Sequence, residues 1–287
     1  MSRIAYVNGR YVPHADAAVH IEDRGYQFAD GVYEVCEVRD GALIDEERHL
    51  ARLWRSLREL AIRAPMGEAA LKLVLRETIR RNRVRDGIVY LQVTRGVARR
   101  DHYFPAPDTA PALVVTARSI DRAKVNAAAE AGVKVITTPE NRWPRVDIKT
   151  IGLLPNVLVK QQAKEAGARE AWYVDADGRV TEGGSTNAWI VTGEGVIVTR
   201  PAESGILRGV TRATVLEAAQ KLQMRVEERA FTVEEAKAAK EAFNTAATAI
   251  VTPVVAIDGS PVGDGRPGPV ALELRRRFHE FAARAAG

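Results

Sequence analysis

Two kinds of hydrophobic periodicity run along the chain, and together they predict a protein built from strands and helices. Near the start, apolar runs lie on both sides of the dipeptide Asn8-Gly9, and the same arrangement returns around Asp40-Gly41. These dipeptides are strong hairpin signals because both residues of a two-residue turn adopt positive φ, which Asn, Asp and Gly tolerate best. The chain is therefore predicted to open with two antiparallel strand pairs.

Helices are predicted where apolar residues recur every three or four positions. Leu50, Leu53, Leu57 and Leu60 follow this spacing and predict a helix over about residues 46–62. Similar patterns predict five further helices, at about residues 68–81, 155–166, 210–222, 233–240 and 269–284. Short apolar runs predict strands at residues 87–96, 112–117, 133–138, 170–183, 187–192 and 195–200.

The chain is long enough for two domains, since 287 residues exceed what one hydrophobic core usually organises. Residues 1–117 form the predicted first domain, which mixes strands and helices. Residues 118–130 carry no strand pattern and few large apolar side chains, so we expect the linker between the domains there. Residues 131–287 form the predicted second, larger domain.

The composition is that of a soluble, folded protein, with 46% hydrophobic and 28% charged residues. The most apolar long stretch, residues 242–257, is interrupted by Asn244 and Pro253, so no membrane span is predicted. The N-terminus has no apolar run of signal-peptide type. Cys36 is the only cysteine and cannot form an internal disulfide. We expect a cytoplasmic protein in which Cys36 packs within a strand.

Charge and motifs exclude several classes of function. The chain carries a net charge of +5, but its basic residues alternate with Glu and Asp, which indicates a solvated surface and no nucleic-acid partner. The five histidines show no HxH or HExxH spacing, so no metal site is predicted. GxSxG, GxxxxGKS/T and GxGxxG motifs are also absent, which removes the common hydrolase, kinase and dehydrogenase chemistries.

One lysine stands out within a strand-like, mainly apolar segment. Lys149 lies in residues 142–156, RWPRVDIKTIGLLPN. In a pocket, desolvation would lower the pKa of this amine and leave it neutral, as Schiff-base chemistry requires. The alternative is a strand lysine that faces solvent, and this observation alone favours the alternative.

Two further segments have the chemistry of a phosphorylated ring cofactor. Glu182 ends a predicted strand beside Gly183 and Gly184, where a carboxylate could hold a protonated ring nitrogen, although the segment could equally be a glycine turn. Val210 and Thr211 begin a predicted helix after a glycine, so their N–H groups suit a phosphate. A Thr helix cap without ligand is the alternative for this second segment.

Five segments resemble, in the same order and at similar spacing, the motifs of the fold-type IV aminotransferases, which depend on pyridoxal 5'-phosphate (PLP). They are EDRGYQFADGVYEV (22–35), HLARL (49–53), RWPRVDIKTIGLLPN (142–156), VTEGGSTN (180–187) and ILRGVTR (206–212). The resemblance covers nearly the whole chain. It implies an α+β first domain, a β-barrel-like α/β second domain with antiparallel and mixed sheets, and PLP in the cleft between them.

The resemblance also assigns the cofactor-binding residues. It implies that Lys149 carries PLP as a Schiff base and moves a proton in catalysis, and that Glu182 pairs with the protonated ring nitrogen. Arg52 would join the amides of Val210 and Thr211 on the phosphate. Arg52 suits this role because a guanidinium fork binds phosphate through two hydrogen bonds.

The substrate end of the site is expected in the first domain. Residues 93–105 resemble the Arg-x-His signature that separates D-amino-acid aminotransferases from branched-chain L-specific relatives, with Arg100 and His102 in the matching positions. With Tyr33 they would bind the substrate α-carboxylate, and in the family the Arg and His come from the partner subunit of a homodimer. The implied reaction moves amino groups between a D-amino acid such as D-alanine and 2-oxoglutarate, giving D-glutamate.

The sequence alone leaves alternatives. The loop around Arg100 is compatible with solvated charges. A branched-chain L-amino-acid aminotransferase and a 4-amino-4-deoxychorismate lyase share the Lys and Glu motifs without needing the Arg-x-His signature, and a PLP-binding protein without turnover is a further alternative. One position departs from the family pattern: Ala247 stands where a Thr usually contacts the phosphate, so Thr245 or Thr248 replaces it or the contact is missing.

Overall fold

The structure, a computed structural model, describes residues 3–203 and 205–285. The chain forms two compact units. Its first part contains β1 (Ile4–Val7), β2 (Arg10–Pro13), a 3-10 helix (His14–Asp16), α1 (Arg24–Phe28), β3 (Gly31–Arg39), β4 (Ala42–Ile44), α2 (Glu46–Glu59), α3 (Glu68–Arg81), β5 (Gly87–Thr94) and β6 (Ala112–Ser119). Its second part contains α4 (Arg122–Ala131), β7 (Val133–Pro139), α5 (Leu154–Glu165), β8 (Glu170–Val174), β9 (Val180–Gly183), β10 (Asn187–Val191), β11 (Ile197–Thr199), α6 (Val210–Lys221), β12 (Val226–Glu228), α7 (Val233–Lys237), β13 (Glu241–Ala246), β14 (Ile250–Ile257), β15 (Ser260–Pro261), α8 (Pro269–Phe281) and β16 (Arg284–Ala285).

Unit 1 is built on a seven-stranded antiparallel sheet in the order β16-β4-β3-β5-β6-β1-β2. Both predicted hairpins are confirmed. The turn between β1 and β2 has φ of 45° at Asn8 and 93° at Gly9, and the turn between β3 and β4 has 52° at Asp40 and 83° at Gly41. Residues that tolerate positive φ therefore fix the register of both strand pairs.

The predicted leucine stripe attaches α2 to the sheet of unit 1. Leu50, Leu53 and Leu57 are each 2% exposed or less, and burial of each side chain contributes roughly 1.5 to 3 kcal/mol. The helix ends at Glu59, earlier than predicted, because the chain turns at Ala61, which has a φ of 49°. The other predicted helices are confirmed, with ends that differ by a few residues at most.

Unit 2 is built on a mixed sheet in the order β12-β11-β10-β13-β14-β7-β8-β9, with β15 paired to β14. β7 runs parallel to β8 and to β14, and β11 runs parallel to β12, whereas the other described pairs are antiparallel. Its core contains large aromatic side chains: Trp189 stacks on Phe243 with ring centroids 5.3 Å apart, and Trp172 is fully buried. The predicted mixture of antiparallel and parallel strands is confirmed.

The division between the units differs from the linker expected at residues 118–130. β6 continues to Ser119, α4 occupies most of the expected linker, and unit 2 begins at Arg122. The sequence pattern misses α4 because its apolar side chains are mainly alanines, which form no leucine stripe. Ala129 is the buried residue of this helix.

Unit 1 also includes two distant stretches of chain. Residues 148–152 belong to it, as do the described residues from Ala283 onward. Ala283 N–H donates to Asp45 Oδ1 (3.0 Å), and Asp45 N–H donates to the Ala283 carbonyl (2.8 Å). Local sequence patterns cannot predict such a pairing, because it joins residues 238 positions apart.

The described ranges 3–203 and 205–285 contain neither a membrane-spanning helix nor a metal-binding cluster of side chains. Each helix there is too short or too polar to cross a lipid bilayer. His, Cys, Asp and Glu side chains there form no group of three that would bind a metal ion.

We expect Gly31→Ala to destabilise unit 1. A methyl group at this first residue of β3 would lie 2.7 Å from the Val93 carbonyl oxygen and 3.0 Å from Ile151 Cδ1. Overpacking of this kind costs about 1 to 3 kcal/mol of unfolding free energy, measurable by urea denaturation. Gly193→Ala is the control, because nothing lies within 4 Å of its added carbon. Equal effects of the two changes would contradict the tight packing at Gly31.

Candidate active site

The segment that carries Lys149 is not the strand expected from its apolar residues. Residues 144–148 are in turn or bend conformation, and Thr150 forms a single β-bridge with Val32. Pro144 provides one reason, since proline has no N–H to donate to a strand ladder. The expectation of a strand is therefore wrong, and the apolar Ile148 faces the core of unit 1 from a turn, with 3% of it exposed.

Three hydrogen bonds hold the backbone of residues 149–151. Tyr33 N–H donates to its carbonyl (3.0 Å), and Ile151 N–H donates to the Gly31 carbonyl (3.1 Å). Lys149 N–H donates to Ser56 Oγ (3.4 Å) on α2. Strand β3 and helix α2 thus fix the position from which the lysine side chain extends.

Lys149 and Tyr33, two of the expected site residues, come together. Lys149 Nζ lies 4.1 Å from the centre of the Tyr33 ring. Tyr90, which the sequence did not identify, packs near Tyr33 with ring centroids 5.7 Å apart, and its hydroxyl donates to Gln92 Oε1 (2.7 Å). Burial raises the pKa of Tyr90 to about 12, so its hydroxyl stays neutral. The β3–β5 register, which brings these rings together, is not visible in either strand alone.

Arg52 is held by Glu34, a fully buried carboxylate on β3. Arg52 Nε donates to Oε1 (2.7 Å) and Nη2 donates to Oε2 (2.8 Å), while His49 Nδ1 lies 2.8 Å from Oε2. Burial alone would raise the pKa of Glu34, but the charge of Arg52 and these hydrogen bonds hold the pKa well below its usual range. Glu34 lies inside a family-like motif, yet its role as partner of Arg52 was missed.

Arg100 and His102 lie on an exposed loop and contact one aromatic ring. The Arg100 guanidinium lies 4.9 Å from the centre of the Phe28 ring, and the His102 ring centroid lies 5.6 Å from it. Arg24 Nη1 donates to the Asp101 carbonyl between them (2.7 Å), which holds this part of the loop. The described contacts join neither Arg100 nor His102 to Lys149.

Glu182 lies in unit 2, on β9, with 4% of it exposed. Its Oε1 accepts from Arg142 Nη1 (2.7 Å), and its Oε2 accepts from Asn187 Nδ2 (3.0 Å) and Leu207 N–H (3.1 Å). Burial raises the pKa of the Glu182 carboxyl to about 7, although Arg142 opposes the rise. Sequence reasoning missed Arg142 and Asn187, even though both lie in the quoted motifs.

The two glycines after Glu182 leave room for side chains of the protein itself. A Cβ at Gly183 would meet Thr186 Oγ1 at 2.1 Å, and a Cβ at Gly184 would meet Glu170 Oε1 at 3.1 Å. The space on the Cβ side of both glycines is therefore occupied by Thr186 and Glu170.

Helix α6 begins at Val210 and has the geometry of an anion site. Its N-cap, Gly209, makes no side-chain capping bond, and Val210 and Thr211 are 7% and 5% exposed. The first N–H groups of a helix have no partner within the helix and lie at its positive end. A Cβ at Gly209 would lie 2.0 Å from Asn187 Oδ1, so the residue that bonds Glu182 also packs against this helix start. These donors suit a phosphate group, and their role in binding one stays a prediction.

Thr245 and Thr248, the two hydroxyl residues considered as replacements for the missing Thr at Ala247, differ in their surroundings. Thr245 is 2% exposed, and its Oγ1 accepts from Trp189 Nε1 (2.9 Å). Thr248 lies in the turn after β13 and is exposed. Thr245 is thus committed to the core of unit 2, and Thr248 is the hydroxyl open to solvent.

Comparison with known proteins identifies relatives over nearly the full length. The family model described as Amino-transferase class IV matches residues 31–257. A D-alanine aminotransferase of Bacillus licheniformis is 44% identical over 268 residues, covering 93% of each chain, and one of Staphylococcus aureus (strain MSSA476) is 38% identical over 276 residues, covering 96% of each.

Among solved structures, branched-chain amino acid aminotransferases are similar to this chain. The Escherichia coli enzyme has a TM-score of 0.90 at 25% identity, covering 98% of this chain and 95% of its own. The T.th. enzyme, solved with pyridoxamine 5'-phosphate, has a TM-score of 0.90 at 28% identity, covering 98% of this chain and 94% of its own. The expected fold-type IV architecture is thus confirmed.

We expect Glu34→Gln to lower the free energy of unfolding at pH 7 by about 3 to 5 kcal/mol, because it removes the charge with which Glu34 balances the buried Arg52. The lowered pKa of Glu34 means that its stabilisation is complete above the ordinary Glu pKa of about 4.3 and is lost as the pH falls toward the folded-state value. The difference between wild type and variant should therefore shrink below about pH 4.

Urea denaturation at pH 7 and at low pH measures this difference. Glu59→Gln is the matched control, since Glu59 pairs with Arg55 on the exposed face of α2 at 3.9 Å and such pairs contribute at most about 1 kcal/mol. If Glu34→Gln were as mild as the control at pH 7, the proposed dependence of Arg52 on Glu34 would be wrong.

Proposed function

Because the chain belongs to the class IV aminotransferases, we propose that it transfers amino groups between D-amino acids and 2-oxo acids, with PLP as its cofactor. The similarity to D-alanine aminotransferases over nearly the whole chain carries this proposal. D-Alanine is the proposed donor and 2-oxoglutarate the proposed acceptor, which gives D-glutamate as product.

Each unit, taken by itself, contains residues that fit chemical groups of PLP. The uncapped start of α6 at Val210 and Thr211 and the guanidinium of Arg52 suit the phosphate. Within the described residues, the groups that contact the buried Glu182 carboxylate are hydrogen-bond donors, and such a carboxylate suits a protonated ring nitrogen. When bound, PLP supplies an electron-accepting ring that stabilises negative charge at the substrate α-carbon.

Lys149 is the proposed catalytic residue. Its Nζ would hold the cofactor covalently, and its free amine would serve as the general base that accepts the proton of the substrate α-carbon. The backbone bonds from Tyr33 and to Ser56 restrict where that amine can reach. The Tyr33 ring lies beside Nζ, with its centre 4.1 Å away.

Arg100, His102 and Tyr33 are the proposed ligands of the substrate α-carboxylate. The Arg100 guanidinium can bind a carboxylate through two hydrogen bonds, and His102 can donate a further one. Both residues lie on the loop that Arg24 holds through the Asp101 carbonyl. In the proposed homodimer, Arg100 and His102 act in the partner subunit's site, which fits their exposure on this chain. A cytoplasmic location is part of the same proposal.

A panel of D- and L-amino acids, followed through the absorbance of the bound cofactor, tests this function. We expect conversion with D-alanine and with D-glutamate.

Lys149→Ala should lower turnover by at least about a thousandfold, because covalent attachment and proton transfer are lost together. Lys134→Ala, an exposed lysine on β7, should leave turnover unchanged. An enzyme that converts L-leucine and ignores D-alanine would instead be a branched-chain aminotransferase, and near-normal activity of Lys149→Ala would contradict the site.

Arg100→Ala should weaken use of both D-alanine and 2-oxoglutarate. Loss of a charge-assisted contact to the carboxylate costs about 1.5 to 3 kcal/mol, or roughly tenfold to a few hundredfold in kcat/KM. Arg99→Ala is the matched control, since Arg99 is the neighbouring exposed arginine of the same loop. Affinity for PLP should stay unchanged in both variants. If Arg99→Ala and Arg100→Ala had the same kinetic effect, the carboxylate role of Arg100 would be abandoned.

A further inference from the structure

We propose that Arg142 is a positioning residue that holds Glu182 in its ionised form and fixes the direction of its carboxylate. The inference rests on the proposed function, in which Glu182 keeps the ring nitrogen of the cofactor protonated. It adds a second residue to that task. All the groups concerned lie in unit 2.

The guanidinium of Arg142 is fixed by contacts on several sides. Its Nη1 donates to Glu182 Oε1 (2.7 Å), while Nε and Nη2 donate to the two oxygens of Glu140 (2.8 and 2.6 Å). The Tyr173 ring centre lies 4.2 Å from the guanidinium carbon. The Arg142 side chain is 8% exposed, so this position is built into the fold and is not a surface ion pair.

The hydrogen bonds around Glu182 suit a carboxylate and not a carboxylic acid. Arg142 Nη1, Asn187 Nδ2 and the Leu207 N–H are all donors. Asn187 Nδ2 also donates to the Leu207 carbonyl (3.0 Å), which supports the orientation of that amide. A protonated Glu182 would need an acceptor for its own proton. Within the described residues, the contacts of Glu182 include none.

The local charges leave a place for one more cation. Glu140, Arg142 and Glu182 together carry one net negative charge in a buried setting, and a protonated ring nitrogen at Glu182 would bring the sum to zero. Two further groups near this cluster lie on strand β8, Tyr173 and Glu170. Burial raises the pKa of Tyr173 to about 12, so its hydroxyl stays neutral. Burial and Glu140 raise the pKa of Glu182, whereas Arg142 is the main group that lowers it.

Arg142 and Glu140 should therefore shift the ionisation of Glu182 in opposite directions. In the full-length apoprotein, labelled with ¹³C at the Glu side-chain carboxyls, Glu182→Gln identifies the Glu182 signal for titration. We expect Arg142→Gln to raise the Glu182 pKa by about 1 or more, a tenfold change in the ratio of ionised to protonated carboxyl. Glu140→Gln should lower it. Arg142→Lys, which keeps the positive charge, should lie between wild type and Arg142→Gln.

Arg145→Gln is the matched control, because Arg145 lies on the same segment but pairs with Asp147 and is 47% exposed. A Glu182 pKa that moves no more in Arg142→Gln than in this control, or that moves the same way in Glu140→Gln, would overturn the proposal. If Arg142→Gln fails to fold, Glu140→Gln and Arg142→Lys still decide between these outcomes. A purely structural role of Arg142 would not give opposite signs.

A second measurement separates this inference from the proposed function. In the holoenzyme prepared with PLP labelled with ¹⁵N in the ring, Arg142→Gln should move the ¹⁵N signal toward that of an unprotonated ring, because the shared proton moves to Glu182. Arg142→Lys should restore most of the wild-type signal. If the apoprotein pKa shifts while the ¹⁵N signal does not, the role of Arg142 is supported and the placing of Glu182 at the ring nitrogen is wrong.

Discussion

The backbone hydrogen bonds between strand β3 and residues 149–151 are the constraint on which the lysine half of the site depends. The segment has no strand ladder of its own, so the bonds from Tyr33 and to Gly31 are its main attachment. Helix α2 adds the bond to Ser56, one turn from Arg52. The same helix therefore sets the backbone of the lysine and the direction of the arginine, and the two groups share one rigid support.

Each unit contains a buried Glu paired with a buried Arg, but the pKa values of the two Glu carboxyls are shifted in opposite directions. Glu34 receives two hydrogen bonds from Arg52 and a contact from His49, so attraction outweighs desolvation and its pKa falls. Glu182 receives one bond from Arg142, whose other nitrogens serve Glu140, and desolvation wins. The first arrangement suits a permanent support. The second suits a carboxylate whose negative charge is balanced by a positively charged group of a ligand.

The sequence predicts what is local and misses what is set by contact across the fold. The hairpins at Asn8-Gly9 and Asp40-Gly41 are predictable because positive φ in consecutive residues demands particular side chains. Glu34 and Arg142 escaped notice because their partners lie 18 and 40 positions away, and nothing in either segment records the pairing. Helix α4 was not predicted because its alanines form no stripe of large apolar side chains. The apolar residues around Ile148 suggested a strand, although the segment forms a turn. Local patterns single out Lys149, Glu182 and the helix start at Val210 with alternatives left open, and the family resemblance, which carries information from distant positions, assigns their roles.

The return of distant chain to unit 1 has a consequence for synthesis on the ribosome. β4 pairs with β16 through residues more than two hundred positions later, and residues 148–152 pack against β3 only after unit 2 has begun. The first 121 residues therefore emerge before β16, which pairs with the outer edge of β4, and before Ile151, whose N–H donates to the Gly31 carbonyl. Open strand edges recruit other strands. The nascent chain therefore cannot close that edge with its own backbone until residues 284–285 have been synthesised.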